Sequence, residues 1–197
     1  MLPLPNFMRD AVVVVSGLPR SGTSMMMKML EAGGLEPLTD GIRKADNDNP
    51  RGYYEFERVK KLKEDKAWLS EARGRVVKII SQLLLELPGE YEYRIIFVRR
   101  DMDEILDSQM KMMTRRGTVK EGGASPEKMR DLLLRHLDQI FAWLDQQKQM
   151  KYVTVNYNEI LADPTDAIAR INTLLDGELD TEAMSKTVDP ALYRQRR

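Results

Sequence analysis

The segment Ala11 to Gly34, AVVVVSGLPRSGTSMMMKMLEAGG, restricts the fold more than any other part of this 197-residue chain. Five apolar residues, Ala11 to Val15, predict a short strand covered on both faces, because β-branched valines suit the interior of a parallel sheet. Ser16 and Gly17 end the apolar run. Ser21-Gly22-Thr23-Ser24 then opens a Met-rich helix that stops at Gly33-Gly34. Strand, glycine-bounded loop and helix in that order leave backbone N–H groups at the helix N-terminus without partners, aimed at one point where an anion can sit.

The loop nearly matches the phosphate-binding pattern G-x-x-x-x-G-K-[ST], through Gly17, Gly22 and Ser24. Thr23 occupies the lysine position, and that lysine normally reaches the β- and γ-phosphates of a nucleoside triphosphate. Its absence argues against ordinary ATP or GTP hydrolysis. The loop carries its cation earlier, at Arg20. A second anion site is suggested where the apolar run Tyr93 to Val98 ends in Arg99-Arg100-Asp101. P-loop NTPases place a Mg²⁺-holding aspartate at such a strand end, whereas two arginines suit an anion rather than a metal. A helix from about Met102 to Arg116 follows, with Ser108 eight residues after Arg100.

Pro19-Arg20-Ser21-Gly22-Thr23-Ser24 after a valine strand resembles the 5′-phosphosulfate loop of sulfotransferases, which bind 3′-phosphoadenosine 5′-phosphosulfate (PAPS) on a P-loop fold. The Arg100…Ser108 pair resembles their 3′-phosphate motif in residue type and spacing. Tyr157-Asn158-Glu159-Ile160-Leu161, after a late strand, resembles their Tyr-Glu-Asp-Leu segment, whose tyrosine lies near the adenine; Asn158 departs from it. The resemblance is to a short sulfotransferase of bacterial type. It implies an α/β, three-layer P-loop NTPase-like domain with a mostly parallel sheet, and transfer of a sulfuryl group from PAPS to a hydroxyl or amine. It assigns nucleotide binding to Arg20, Ser21, Gly22, Thr23, Ser24, Arg100, Ser108 and Tyr157, with no metal.

The catalytic base is where the sequence departs from the resemblance. In cytosolic sulfotransferases a comparable strand ends in a lysine followed by a catalytic histidine. Lys78, in RVVKIIS, matches that lysine, but Ile79, Ile80 and Ser81 supply no histidine. A buried lysine charge is costly without a partner, so Lys78 either points out at a strand edge or faces the anion site, as a second catalytic cation beside Arg20. Some sulfotransferases acting on carbohydrates or tyrosine use a glutamate base. Glu55, in Asn49-Pro50-Arg51-Gly52-Tyr53-Tyr54-Glu55-Phe56-Glu57, is the candidate here, with Glu57 the alternative. The family's C-terminal basic-glycine segment is missing, and Arg194, Arg196 and Arg197 either fold back in its place or fray. Two other readings stay open: a P-loop kinase or NTPase, and a non-catalytic nucleotide-binding module.

The length fits one domain spanning 1–197 with a substantial core. Thirty-one basic and 31 acidic residues cancel, so no global field recruits nucleic acid or an anionic membrane. Cysteine is absent and His136 is the one histidine, which excludes disulfides and thiolate or histidine-rich metal sites and suggests a cytoplasmic protein. No apolar run is long enough to span a bilayer, and the opening MLPLPNFMRD lacks the form of a secretory signal. Glu36 to Arg51 is polar and turn-rich, the composition of a lid, a binding loop or a disordered segment. A charged helix is expected over Arg58 to Glu71, burying Val59, Leu62, Ala67 and Leu69. A strand is expected over Arg75 to Ser81, another over Lys151 to Val155, and helices over Pro126 to Gln149 and Pro164 to Leu175. Met129, Leu132, Leu133, Leu137, Ile140, Phe141 and Leu144 form one stripe on the helix from Pro126, serving core packing or a homo-oligomer face. The acceptor, a small molecule or carbohydrate, is not named by any motif.

Overall fold

Val12–Gly17 (β1) is buried at all six positions, as an apolar strand inside a two-faced sheet must be. Its side chains alternate: Val12 and Val14 enter one core cluster, Val13 and Val15 the other. The computed structural model describes residues 10–42, 53–115, 117–118, 125–177 and 179–188. Most of the polar segment after Glu36 (43–52), the connector residues 119–124 and the tail with Arg194, Arg196 and Arg197 lie outside the described residues.

β1 leads into α1 (Thr23–Ala32), then β2 (Val76–Lys78), β3 (Tyr93–Arg99), α2 (Met102–Arg115), α3 (Pro126–Leu144), β4 (Met150–Asn156), α4 (Tyr157–Ala162), α5 (Thr165–Leu174) and α6 (Thr181–Lys186). The four strands form one parallel sheet in the order β2-β1-β3-β4. Residues of α1, α5 and α6 share the core cluster of Val13 and Val15, while residues of α2 and α3 share that of Val12 and Val14. The result is a three-layer α/β P-loop-type fold. From β1 the chain moves to β2 on one side and then to β3 on the other. That reversal opens a crevice at the carboxyl ends of β1 and β3, where open α/β sheets bind ligands.

Three local expectations need correction, and one helix was not foreseen. The stretch 58–71 is two 3₁₀ turns, Glu57–Lys61 and Ala67–Ser70, rather than a helix. Asp65 interrupts it: its carboxylate takes both Arg58 Nε (2.8 Å) and the Ala67 N–H (3.2 Å), and such side-chain bonds compete with helix continuation. Val59, Leu62 and Leu69 are buried as expected, but Ala67 is exposed and Trp68 fills the core instead. The second strand is only Val76–Lys78 because Ser81 starts another 3₁₀ turn, Ser81–Glu86. His136 holds that turn against α3, with Nε2 2.9 Å from Ser81 Oγ. α3 ends at Leu144 and buries Leu137, Ile140 and Leu144, while Met129 and Leu132 near its start are exposed. A 19-residue helix outruns the seven-residue strands it covers. Last, the six-residue α6 has no counterpart in the sequence analysis. It is capped by Asp180, whose carboxylate accepts the Ala183 N–H, and it docks on the end of α1 through Asp180 N–H to Gly33 O at 3.1 Å.

Trp68 is fully buried, packs edge-on against Phe56 at 5.4 Å and donates Nε1–H to Asp65 O. Trp68→Ala is expected to cost about 3–5 kcal/mol of stability. Equilibrium denaturant unfolding measures this directly, and a loss under ~1 kcal/mol would place the packing centre elsewhere.

Candidate active site

The phosphate loop is shaped by close approach. A Cβ on Gly17 would lie 2.5 Å from both Ser21 Oγ and Val98 O, so only glycine fits between loop and strand. Ser21 N–H closes the turn onto Leu18 O at 3.1 Å. Arg20 adopts φ 77°, a left-handed conformation uncommon for a residue with a side chain. Gly22 caps α1 at φ 102°, and a Cβ there would meet the Tyr157 ring at 2.2 Å. No side chain caps this helix start. Gly22 O accepts the Met25 and Met26 N–H groups at 3.0 and 3.2 Å, and an uncapped helix start of this kind suits an anion. Ser21 adds a buried hydroxyl without a hydrogen-bond partner among the described residues, which fits an anion at this point.

The end of β3 meets that loop. Asp101, in the position that could face a metal, instead caps α2 by accepting the Glu104 N–H at 3.1 Å. Arg100 turns back under the loop: Nε donates to Glu104 Oε2 (2.8 Å), Nη1 donates to Arg20 O (3.2 Å), and Cζ lies 4.6 Å from the centre of the Tyr157 ring. Arg20 in turn donates Nε–H to Ser108 Oγ at 2.9 Å. Gln109 Nε2 donates to Pro19 O at 3.0 Å, a further tie between α2 and the loop. Arg20, Ser21, Gly22, Arg100, Ser108 and Tyr157 thus form one constellation, with Thr23 and Ser24 opening α1 beside it. Burial pushes the Tyr157 phenol above its usual range, against the pull of Arg100 and Arg20, so it stays a neutral O–H.

Lys78 ends β2, the neighbouring strand on the other side of β1, in register with Val15. Its ammonium donates to Tyr53 O and lies 5.9 Å from the Tyr53 ring centre. The stretch bearing Glu55 is held at several points: Glu55 O accepts from Thr39 Oγ1 at 2.8 Å, and Tyr54 OH donates to Glu31 Oε2 at 2.5 Å. Glu55 is mostly buried, its side chain 19% exposed, with Lys60 Nζ 4.0 Å from Oε2. Glu57 is more exposed and pairs with Lys60 at 2.6 Å. A cavity of about 590 Å³ opens at the carboxyl ends of β3 and β4, lined among others by Leu18, Ser21, Arg99, Arg100, Asn156 and Arg170. Among the described residues no cluster of histidine and carboxylates could hold a metal ion. No described helix is long and apolar enough to cross a membrane.

Three contributors escaped the sequence analysis. Gln109 and Asn158 act across the fold and leave no local pattern. Glu104 had a readable signal, the i, i+4 spacing from Arg100 that predicts an ion pair on a helix.

The sulfotransferase domain family model matches residues 10–195, and the chain belongs to that family. Its reaction class is sulfuryl transfer. No curated protein matches the chain in sequence. Among solved structures, the sulfotransferase domain of an olefin synthase from Synechococcus aligns at a TM-score of 0.56 and 14% identity, over 100% of this chain and 84% of that one. A sulfotransferase from Mycobacterium tuberculosis aligns at 0.53 and 17%, over 91% and 72%. A retinol dehydratase in complex with retinol and PAP aligns at 0.51 and 16%, over 98% and 67%. At such identities the likeness speaks to the fold.

Gly22→Ala tests the loop's packing. It forces a Cβ at φ 102° into the Tyr157 ring, so a stability loss of about 1–3 kcal/mol is expected from backbone strain and the displaced ring. Thermal unfolding with tyrosine fluorescence reads it, and an unchanged melting temperature would contradict the contact.

Proposed function

We propose that the protein moves the sulfuryl group of PAPS to a hydroxyl or amine of a small-molecule or carbohydrate acceptor. One observation carries the reading: Arg20 reaches Ser108 at 2.9 Å and Arg100 reaches the Arg20 carbonyl at 3.2 Å, across 88 and 80 residues of sequence. That contact joins two anion sites, one at the start of α1 and one at the start of α2, as a nucleotide with separate 5′ and 3′ groups requires. The PAP complex of the retinol dehydratase supports the same nucleotide identity.

On this reading the α1 N-terminus and Arg20 take the 5′-phosphosulfate, Arg100 and Ser108 take the 3′-phosphate, and Tyr157 packs beside the adenosine. The acceptor oxygen or nitrogen forms its bond to sulfur as the bond from sulfur to the phosphate oxygen breaks, and adenosine 3′,5′-diphosphate leaves. The loop N–H groups, Arg20 and Lys78 stabilise charge on the sulfuryl and departing oxygens, an effect worth roughly 3 kcal/mol per donor removed. Glu55 takes the acceptor's proton. Its stretch is tied to the Lys78 ammonium through Tyr53 O, which supports a base beside the second cation.

Two substitutions test the assignment. Arg100→Ala is expected to weaken PAPS binding at least about tenfold more than adenosine 5′-phosphosulfate binding, since a hydrogen bond to a charged group is worth roughly 1.5–3 kcal/mol. Equal losses for the two ligands in a binding titration would make Arg100 structural. Glu55→Gln is expected to leave adenosine 3′,5′-diphosphate binding intact while lowering turnover roughly 10²-fold or more. Full turnover in Glu55→Gln with its loss in Glu57→Gln would move the base two residues along.

A further inference from the structure

The guanidinium of Arg100 is held at three points, and one of them is set by two residues to which the sequence motifs assign no role, Glu104 and Asn158. Arg100 and Glu104 form an ion pair whose side chains are only 8% and 5% exposed. An ion pair so removed from water loses more hydration than its attraction returns unless its geometry is good and the carboxylate's other lone pairs are satisfied. Asn158 satisfies them: Nδ2 donates to Glu104 Oε1 at 3.1 Å and Oε2 at 3.2 Å. Its amide orientation is set from behind, because Oδ1 accepts the Asp101 N–H at 3.2 Å and so turns Nδ2 toward the carboxylate. Asp101 closes the circuit by accepting the Glu104 N–H at 3.1 Å.

The circuit links the turn that starts α2, after β3, to the turn that starts α4, after β4. Asn158 is the second residue of α4, whose cap Asn156 accepts the Asn158 N–H at 2.8 Å. A guanidinium is a planar fork. Glu104 fixes its Nε edge, Arg20 O fixes Nη1, and the Tyr157 ring lies 4.6 Å from Cζ. Two in-plane bonds and one aromatic face leave the plane no freedom to rotate.

We infer that Glu104 and Asn158 are positioning residues for the 3′-phosphate: their carboxylate–carboxamide pair holds the Arg100 guanidinium in the one orientation that reads that group. This rests on the assignment of the 3′-phosphate to Arg100. The pair's benefit is orientation rather than attraction, since Glu104 by charge alone would weaken an anion's binding.

A reciprocal exchange tests it. Glu104→Gln leaves two amide donors facing each other, and Asn158→Asp leaves two carboxylates. The double variant Glu104→Gln/Asn158→Asp restores one acceptor and one donor, and the carboxamide oxygen it places on α2 can still accept from Arg100. The readout is the ratio of dissociation constants for AMP and adenosine 3′,5′-diphosphate, which isolates recognition of the 3′-phosphate. Each single variant is expected to lower that ratio about tenfold, as loss of a well-aligned charge-assisted bond would, and the double variant to recover most of it. Strong non-additivity of this kind marks residues acting through one network. Asn158→Ala serves as a milder variant should either single exchange fail to fold, and it too is expected to lower the ratio. If melting temperatures fall while the ratio stays at its wild-type value, the pair is merely structural and the inference is overturned. If Arg100→Ala leaves the ratio unchanged, the 3′-phosphate assignment itself fails instead.

Discussion

The pairing of β1 with β3 is the constraint on which the site depends. Their register sets Gly17 opposite Val98, and Val98 O would lie 2.5 Å from any Cβ at position 17. The strands therefore approach closely only if position 17 is glycine, and their ends then deliver two loops to one place. One loop leads into α1 and carries Arg20. The other leads into α2 and carries Arg100. Because β1 connects to β2 on one side and β3 pairs on the other, the strand order reverses at β1, the kind of point where open α/β sheets bind ligands.

Electrostatics then follow from burial. Arg100 is sequestered with Glu104, Tyr157 lies against both Gly22 and Arg100, and the Ser21 hydroxyl is buried without a described partner. Buried polar groups of this kind are costly unless they are paired, and Asn158 completes the pairing of Glu104. Lys78 lies on the neighbouring strand, paired with Val15 of β1. Its ammonium donates to the Tyr53 carbonyl, which ties the end of β2 to the stretch carrying Glu55.

The elements that organise the fold were legible because their signals are local. β1, the glycine loop and α1 follow from periodicity and two glycines, while Arg100…Ser108 was singled out by its resemblance to a family motif. The stretch 58–71 was misjudged because charged, helix-favouring residues hid the competition from Asp65, whose side-chain bonds to Arg58 and Ala67 break the helix. The stripe on α3 was read as core packing or an oligomer face, and Leu132 at its start is exposed because the stripe continues past the sheet that could cover it. The Glu104–Asn158 contact spans 54 residues, and no property of either residue alone announces the other. Family motifs find groups that face a ligand more readily than groups that hold them still.

The central claim is that two anion sites are joined to accept a 3′-phosphorylated adenosine nucleotide rather than a triphosphate. The most direct measurement is a calorimetric titration of the wild-type protein with adenosine 3′,5′-diphosphate and with ATP, each with and without EDTA. The account predicts that adenosine 3′,5′-diphosphate binds roughly tenfold or more tightly than ATP, with no change on chelation. Tighter binding of ATP, dependent on Mg²⁺, would contradict it.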